Sequence, residues 1–168
     1  LQLRVLNIHA STGEPISADD RRTRMAVAKK SFRTLSERDE AFGMRIAIEC
    51  LPRTCLGNTS SEMLVLLDGL PSVGVTMDIN HIFHETHAQF IHTLGSRIIN
   101  THVSDNDGID ERHWLPGRGV IDFVSVVQAL EDVGYKGPFN FECEGTPDEK
   151  IGVWKRLCQS DSIRGFHG

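Results

Sequence analysis

The sequence lacks the features that mark membrane-spanning, secreted and nucleic-acid-binding proteins. No apolar run approaches the roughly 18 residues of a membrane helix, and no signal peptide opens the chain. The four cysteines show no CxxC spacing, which favours reduced thiols over a disulfide framework. No run of lysine and arginine is longer than a short pair, and 18 basic against 23 acidic residues give a net charge of −5. We therefore expect a cytoplasmic protein with no membrane and no nucleic-acid partner.

The composition that is present is sufficient for one packed core. The chain has 168 residues, of which 39% are apolar and 24% charged, close to the size of a single domain. We interpret residues 1–168 as one domain. Leu1 lies inside an apolar run and no initiator methionine precedes it, which suggests that an N-terminal part is missing.

Stretches with the period of a β-strand alternate along the chain with stretches that have the period of an α-helix. The predicted strands are residues 3–9, 44–49, 73–78, 97–102 and 138–142. The predicted helices are residues 19–41, 59–70, 87–94, 122–133 and 148–157. Strands that alternate with helices form right-handed βαβ units, so the sequence predicts an α/β fold with a parallel sheet.

Four of the five predicted strands end in a residue that can bind a metal, namely Glu49, Asp78, His102 and Glu142. The carboxyl ends of parallel strands meet at one edge of the sheet, where ligands bind in such folds. A single terminal acid or histidine often only caps the next loop, but four in register favour a shared metal site. Three carboxylates and one imidazole suit one divalent ion, Mn²⁺ or Mg²⁺, with Zn²⁺ as the alternative.

Three histidines follow the third predicted strand. His81 shares a loop with the predicted ligand Asp78, and we interpret it as facing the substrate. His84 and His87 continue a spacing of three that could build a second metal site on a helix. The simpler interpretation, which we favour, is a polar helix start with exposed imidazoles.

Two loops carry further candidate residues. The long polar loop after His102 contains His113 and Arg118, and its place above the predicted metal site indicates a substrate lid rather than a solvated connection. Arg53, in the loop after Glu49, has two interpretations. It either holds a hydroxyl or phosphate group of the substrate or forms a surface salt bridge.

Taken together, these motifs resemble the xylose isomerase-like TIM-barrel superfamily, in its sugar phosphate isomerase/epimerase branch. The resemblance rests on IAIECLPRTCLGN around Glu49, DINH from Asp78, HVSDNDG from His102, HWLPGRGVID from His113 and FE at Glu142. It implies a (β/α)₈ barrel whose divalent metal is held by Glu49, Asp78, His102 and Glu142. It also implies that Glu49 and Glu142 move protons and that His81 contacts the substrate.

The sequence departs from this family in two respects. The epimerases carry a substrate-binding arginine shortly after the metal histidine, where this chain reads Asn106-Asp107-Gly108. His113 and Arg118 are the candidates to replace it. A closed barrel needs about 200 to 250 residues, so we expect an incomplete barrel with about five C-terminal βα units. A longer native polypeptide, or association into a homo-oligomer, would then cover the missing strands.

The leading hypothesis is a metal-dependent isomerase or epimerase acting on a small polyhydroxy carbonyl compound. The metal would polarise the carbonyl as a Lewis acid, and Glu49 and Glu142 would transfer protons through an enediolate from opposite faces. One alternative is a metal-dependent phosphodiesterase like the AP endonucleases, which use several zinc ions. Another is a truncated barrel without activity. One bound ion per chain favours the isomerase, and two or three favour the phosphodiesterase. The absence of bound metal favours the inactive fragment.

Overall fold

The structure, a computed structural model, describes residues 4–15 and 17–159. Within these residues five strands alternate with five α-helices, which confirms the α/β prediction. The strands are β1 (Val5–His9), β2 (Arg45–Glu49), β3 (Gly74–Asp78), β4 (Ile98–Val103) and β5 (Phe139–Phe141). The helices are α1 (Ala18–Phe42), α2 (Ser60–Leu67), α3 (His87–Leu94), α4 (Phe123–Asp132) and α5 (Pro147–Gln159). Short 3₁₀ helices cover Ile79–His81 and Gly95–Arg97.

The five strands form one sheet in the order β1-β2-β3-β4-β5, and every neighbouring pair is parallel. This sequential order is that of consecutive strands in a TIM barrel. The register aligns the carboxyl ends, because His9 lies opposite Glu49 and Asp78 lies opposite His102. No strand among the described residues pairs with the outer edge of β1 or of β5.

The two faces of the sheet differ in polarity. One face packs against the helices through a buried apolar cluster that includes Ile46, Ile48, Val75, Met77, Leu66 and Phe90. The alternating residues of the other face are polar: Asn140 Nδ2 donates to Asn100 Oδ1 (2.6 Å), and Asn100 Nδ2 donates to Thr76 Oγ1 (3.2 Å). Strand periodicity thus separates the core from the face that carries the candidate ligands.

A register shift in the pairing of β3 with β4 keeps the ligands on one face. Val75 pairs with Ile98 but Thr76 pairs with Asn100, so Ile99 is an extra residue in β4. Such a bulge reverses the alternation of the strand that contains it. Asn100 and His102 therefore point to the same side as Thr76 and Asp78.

Several element ends differ from the predicted ones. The helix predicted for residues 59–70 ends at Leu67, since Gly69 adopts a left-handed conformation (φ 73°). β4 begins at Ile98 because residues 95–97 form a 3₁₀ turn, and β5 ends at Phe141, so Glu142 follows the strand. The predicted start of the first strand at Leu3 lies outside the described residues.

Other sequence expectations concern the cysteines and the membrane. Cys50, Cys55 and Cys143 are free thiols, while the side chain of Cys158 lies outside the described part. Among residues 4–15 and 17–159, no helix combines the length and the apolar character that crossing a bilayer requires.

Candidate metal centre

Four acidic and histidine side chains converge at the carboxyl edge of the sheet. Glu49 and Asp78 end β2 and β3, His102 is the penultimate residue of β4, and Glu142 directly follows β5. Each offers one ligand atom, and these atoms all lie within 4.8 Å of one another. His102 Nδ1 is 2.7 Å from Glu142 Oε2, 3.5 Å from Glu49 Oε1 and 3.8 Å from Asp78 Oδ2. The structure thus brings together the four ligands that the sequence predicts.

The donor atoms of this group fit a divalent cation. Asp78 is fully buried and Glu49 is 3% exposed, yet Asp78 Oδ2 has no hydrogen-bond partner. A buried polar atom without a partner costs about 1–3 kcal/mol, so atoms left in this state mark a place for a ligand. Three carboxylates and one imidazole that share one centre suit Mn²⁺, Mg²⁺ or Zn²⁺.

Neighbouring groups hold the carboxylate oxygens that point away from this centre. Asn7 Nδ2 donates a hydrogen bond to Glu49 Oε2, and His9 Nε2 lies 3.2 Å from the same oxygen. The Asn80 backbone N–H donates to Asp78 Oδ1 at 2.8 Å. Such outer contacts orient metal-binding carboxylates and leave the second oxygen of each free.

The electrostatics of the group favour ionised carboxylates and a protonated imidazole. Burial raises the pKa of Glu49, but hydrogen bonds from His102 and Asn7 and the nearby histidine charges outweigh it and lower the pKa to about 2. Burial lowers the pKa of His102, but its interactions with Asp78 and Glu49 outweigh burial and raise the pKa to about 10. At neutral pH the His102 imidazolium thus offsets part of the negative charge.

A second group of possible ligands lies beside the first and consists of His81, Glu111 and His113. His81 Nδ1 is 3.0 Å from the Cys50 carbonyl oxygen, and His113 Nδ1 is 3.0 Å from the Glu142 carbonyl oxygen. A carbonyl only accepts, so each Nδ1 is the donor. This arrangement is typical of metal-binding or substrate-binding imidazoles. His81 Nε2 lies 2.9 Å from Glu111 Oε2.

Glu111 was not predicted from the sequence, although its spacing gave a signal. It lies two residues before His113, within the loop interpreted as a lid. The structure brings both residues next to His81. By contrast, His84 Nε2 donates to the Arg53 carbonyl and His87 Nε2 donates to the Ile79 carbonyl. The second group is therefore not the histidine series that the spacing of three suggested.

Asp105 organises the loop between β4 and α4, a role that was not predicted from the sequence. Its fully buried carboxylate accepts backbone N–H groups from Asn106, Gly117, Gly119 and Ile121, at 2.8–3.2 Å. Its backbone pairs with that of Trp114 in both directions. These bonds fold the loop back on itself and place Glu111 and His113 near His81.

The two candidate arginines are paired with carboxylates. Arg53 Nη2 lies 2.9 Å from Asp110 Oδ1 and 2.9 Å from Glu111 Oε1. Arg118 Nη2 lies 3.2 Å from Glu149 Oε1 on α5. Of the two predicted alternatives for Arg53, the structure shows the salt bridge.

Comparison with known proteins agrees with this fold. A family model described as "Xylose isomerase-like TIM barrel" matches residues 1–159. "Uncharacterized protein MJ1311" from Methanocaldococcus jannaschii is 33% identical over 133 residues, 73% of this chain and 45% of that protein. A ketose 3-epimerase from Arthrobacter globiformis is 28% identical over 153 residues, 85% of this chain and 52% of that protein. The chain spans about half the length of these relatives.

A solved structure shows the same architecture. The crystal structure of a "D-tagatose 3-epimerase-like protein" superposes on this chain with a TM-score of 0.82 at 25% identity. The superposition covers 92% of this chain and 60% of that one. The observed sheet is thus part of a TIM barrel, as the sequence predicted.

The Asp105 loop predicts a stability effect at Gly119. A methyl group at this position would overlap the Asn106 carbonyl oxygen and the Asp105 carboxylate. We expect Gly119→Ala to lower the free energy of unfolding by about 1–3 kcal/mol, measured by urea denaturation. Gly13→Ala is the matched control, because nothing lies within 4 Å of the added methyl and neither glycine has a positive φ. Equal stability of both variants would contradict this role of Asp105.

The raised pKa of His102 predicts that Mn²⁺ affinity increases with pH. The imidazolium must lose its proton before Nδ1 can bind a metal, and its pKa is about 10 in the metal-free protein. We expect Kd to fall about tenfold per pH unit between about pH 7 and pH 9, with release of one proton per ion. Calorimetry in two buffers of different ionisation enthalpy measures both quantities. An affinity that does not change with pH would contradict binding through a protonated His102.

Proposed function

The chain belongs to the xylose isomerase-like TIM-barrel family, and from this premise we propose that it acts as a divalent-metal-dependent isomerase or epimerase. The proposed substrate is a small polyhydroxy carbonyl compound such as a ketose, in keeping with the ketose 3-epimerase relative. One observation carries the proposal: four possible ligand atoms lie within 4.8 Å of one another at the ends of successive strands, and one of them, Asp78 Oδ2, is buried without a hydrogen-bond partner. Mn²⁺ or Mg²⁺ is the proposed ion, with Zn²⁺ as the alternative.

The four residues divide the work according to their surroundings. A bound divalent ion would supply Lewis-acid polarisation of the substrate carbonyl. Asp78 is fully buried and would hold the ion together with His102. Glu49 and Glu142 also exchange protons with the substrate. One removes the carbon-bound proton, and the other returns a proton to the opposite face or to the neighbouring carbon, through an enediolate.

Glu49 and Glu142 differ in a way that suits two proton-transfer roles. The Glu49 side chain is 4% exposed and has a pKa of about 2, so it is an ionised base shielded from solvent. The Glu142 side chain is 52% exposed and exchanges protons with water more readily. Pairs of carboxyl groups in unlike environments are common where one acid and one base are needed.

Charge around the site favours a substrate without a phosphate group. Beside the predicted ligands, Glu111 adds a further carboxylate next to His81. The two nearby candidate cations already form ion pairs. Arg53 pairs with Asp110 and Glu111, and Arg118 pairs with Glu149. We therefore propose that His81 and His113 hold hydroxyl groups of a neutral sugar and that neither arginine serves as a phosphate clamp.

A metal-dependent phosphodiesterase is the second candidate function. The observation that favours it is the His81, Glu111 and His113 group, since this enzyme class uses more than one ion. Two nitrogens and one carboxylate suit Zn²⁺. The acidic balance of the chain argues against a nucleic-acid substrate.

The sheet edges support a proposal on assembly. The outer edges of β1 and β5 have no partner strand among the described residues, and parallel sheets normally have both faces covered. We propose that further βα units of a longer polypeptide, or a second copy of this chain, cover these edges in the active protein.

Mass and metal content of the protein purified from its source gene test these alternatives together. We expect a mass above 18.7 kDa or a stable oligomer, with one Mn²⁺ or Mg²⁺ per chain. Two or three zinc ions together with cleavage of abasic-site DNA would favour the phosphodiesterase. A monomer of 18.7 kDa without metal would contradict both enzymatic proposals.

The variant Glu142→Gln tests the proton-transfer role. We expect turnover to fall by about 10²–10⁴-fold, because the amide cannot exchange a proton with the substrate. The assay follows the incorporation of solvent deuterium at the carbon beside the carbonyl by NMR, so it detects either product. Metal content of the variant is measured in parallel to separate proton transfer from metal loss.

The matched control for this variant is Glu144→Gln, which changes an exposed acid two residues further along the chain. We expect wild-type turnover from it. Full activity of Glu142→Gln with its metal retained would refute the assignment.

A further inference from the structure

Arg53 joins three loops at the carboxyl edge of the sheet. It lies in the loop after β2, and its carbonyl oxygen accepts hydrogen bonds from Asn58 Nδ2 (2.6 Å) and from His84 Nε2 (2.9 Å). His84 belongs to the loop after β3. The Arg53 guanidinium reaches Asp110 and Glu111 in the loop after β4, each at 2.9 Å. A single residue therefore ties together the loops that follow three successive strands.

A short series of contacts leads from Arg53 to the candidate metal centre. Glu111 uses both oxygens, Oε1 toward Arg53 Nη2 and Oε2 toward His81 Nε2, each at 2.9 Å. The His81 ring is 7% exposed and lies 3.5 Å from Asp78 Oδ2 and 3.6 Å from Glu49 Oε1. Without Arg53, Glu111 would keep one of these two partners and could turn away from His81.

Further contacts show that this salt bridge is built into the loop. The Asp107 carboxylate accepts the backbone N–H groups of Ile109 and Asp110 and the Arg112 side chain, which holds Asp110 in place. The hydrogen bond from Arg53 is the main cause that lowers the pKa of Asp110.

The backbone at Arg53 also differs from that of an ordinary surface residue. Arg53 (φ 56°) and His113 (φ 50°) are the non-glycine residues with positive φ in the described part of the chain. This conformation is unfavourable for side chains other than glycine, by about 1 kcal/mol or more, and it clusters at functional sites. Arg53 pairs with Glu111, and the centre of the His113 ring lies 6.2 Å from that of His81.

We propose that Arg53 is a positioning residue that holds Glu111 against His81 and does not itself contact the substrate. This replaces the expectation that Arg53 binds a hydroxyl or phosphate group. Its kinetic consequence rests on the proposed function, whereas its effect on the loop does not. The two are therefore tested by separate measurements.

Amide hydrogen exchange of the full chain tests the effect on the loop. We expect Arg53→Met to increase exchange in residues 107–114 about fivefold, the size of effect that a partly exposed charge pair supplies. Arg53→Lys restores a positive charge and should recover most of the protection. Unchanged exchange in Arg53→Met would overturn the proposal.

The matched control is Arg24→Met, because Arg24 forms a 2.9 Å ion pair of similar exposure with Asp20 on α1. We expect wild-type exchange in residues 107–114 from it. The His81 Cε1–H resonance should shift in Arg53→Met and stay in place in Arg24→Met. Equal shifts in both variants would indicate a general loss of structure and would overturn the proposal.

A double-mutant cycle with Glu111→Gln tests the kinetic consequence. If Arg53 acts through Glu111, Arg53→Met lowers kcat/KM about fivefold in the wild-type background and has no further effect beside Glu111→Gln. If Arg53 contacts the substrate, its loss raises KM and the two effects multiply, which would overturn the proposal. A wild-type protein that turns over no ketose would refute the proposed function, while the exchange experiment would still decide the role of Arg53.

Discussion

The crowding of negative charge at the carboxyl edge of the sheet is the constraint on which the site depends. Two like charges about 4 Å apart repel by about 4 kcal/mol at an effective dielectric constant of 20. The possible ligand atoms of Glu49, Asp78 and Glu142 all lie within 4.8 Å of one another and of the His102 ligand atom. The raised pKa of His102 follows from this crowding, and Asp78 Oδ2 stays buried without a hydrogen-bond partner. A divalent cation bound here would add positive charge and would coordinate this oxygen.

Strand periodicity explains why these four residues could be predicted from the sequence. Side chains alternate between the two faces of a strand, and parallel strands end at one edge of the sheet. The position of a side chain at the end of a strand is therefore restricted to a few alternatives. Even so, the bulge at Ile99 could not be predicted, although the orientation of His102 depends on it. The contacts of Asn7 and His9 on β1 with Glu49 could not be predicted either, because they depend on the register between two strands.

The loop residues could not be predicted in the same way, since no period constrains a loop. The fold of the β4–α4 loop depends on hydrogen bonds from four backbone N–H groups to the Asp105 carboxylate. Such bonds produce no recognisable sequence pattern. Glu111 reaches His81 because of these bonds. The observed end of α2 and start of β4 likewise differ from the predicted ones, because glycine conformations rather than apolar patterns decide these boundaries.

Arg53 shows the physical reason for this difference most clearly. Its sequence context placed a cation in the loop after Glu49, but the role of a cation depends on which carboxylates lie within reach. Asp110 and Glu111 are more than fifty residues away in the chain, and the guanidinium pairs with both in a contact between loops. We propose that the strand ends determine metal binding, whereas the loops determine selectivity for one sugar over another.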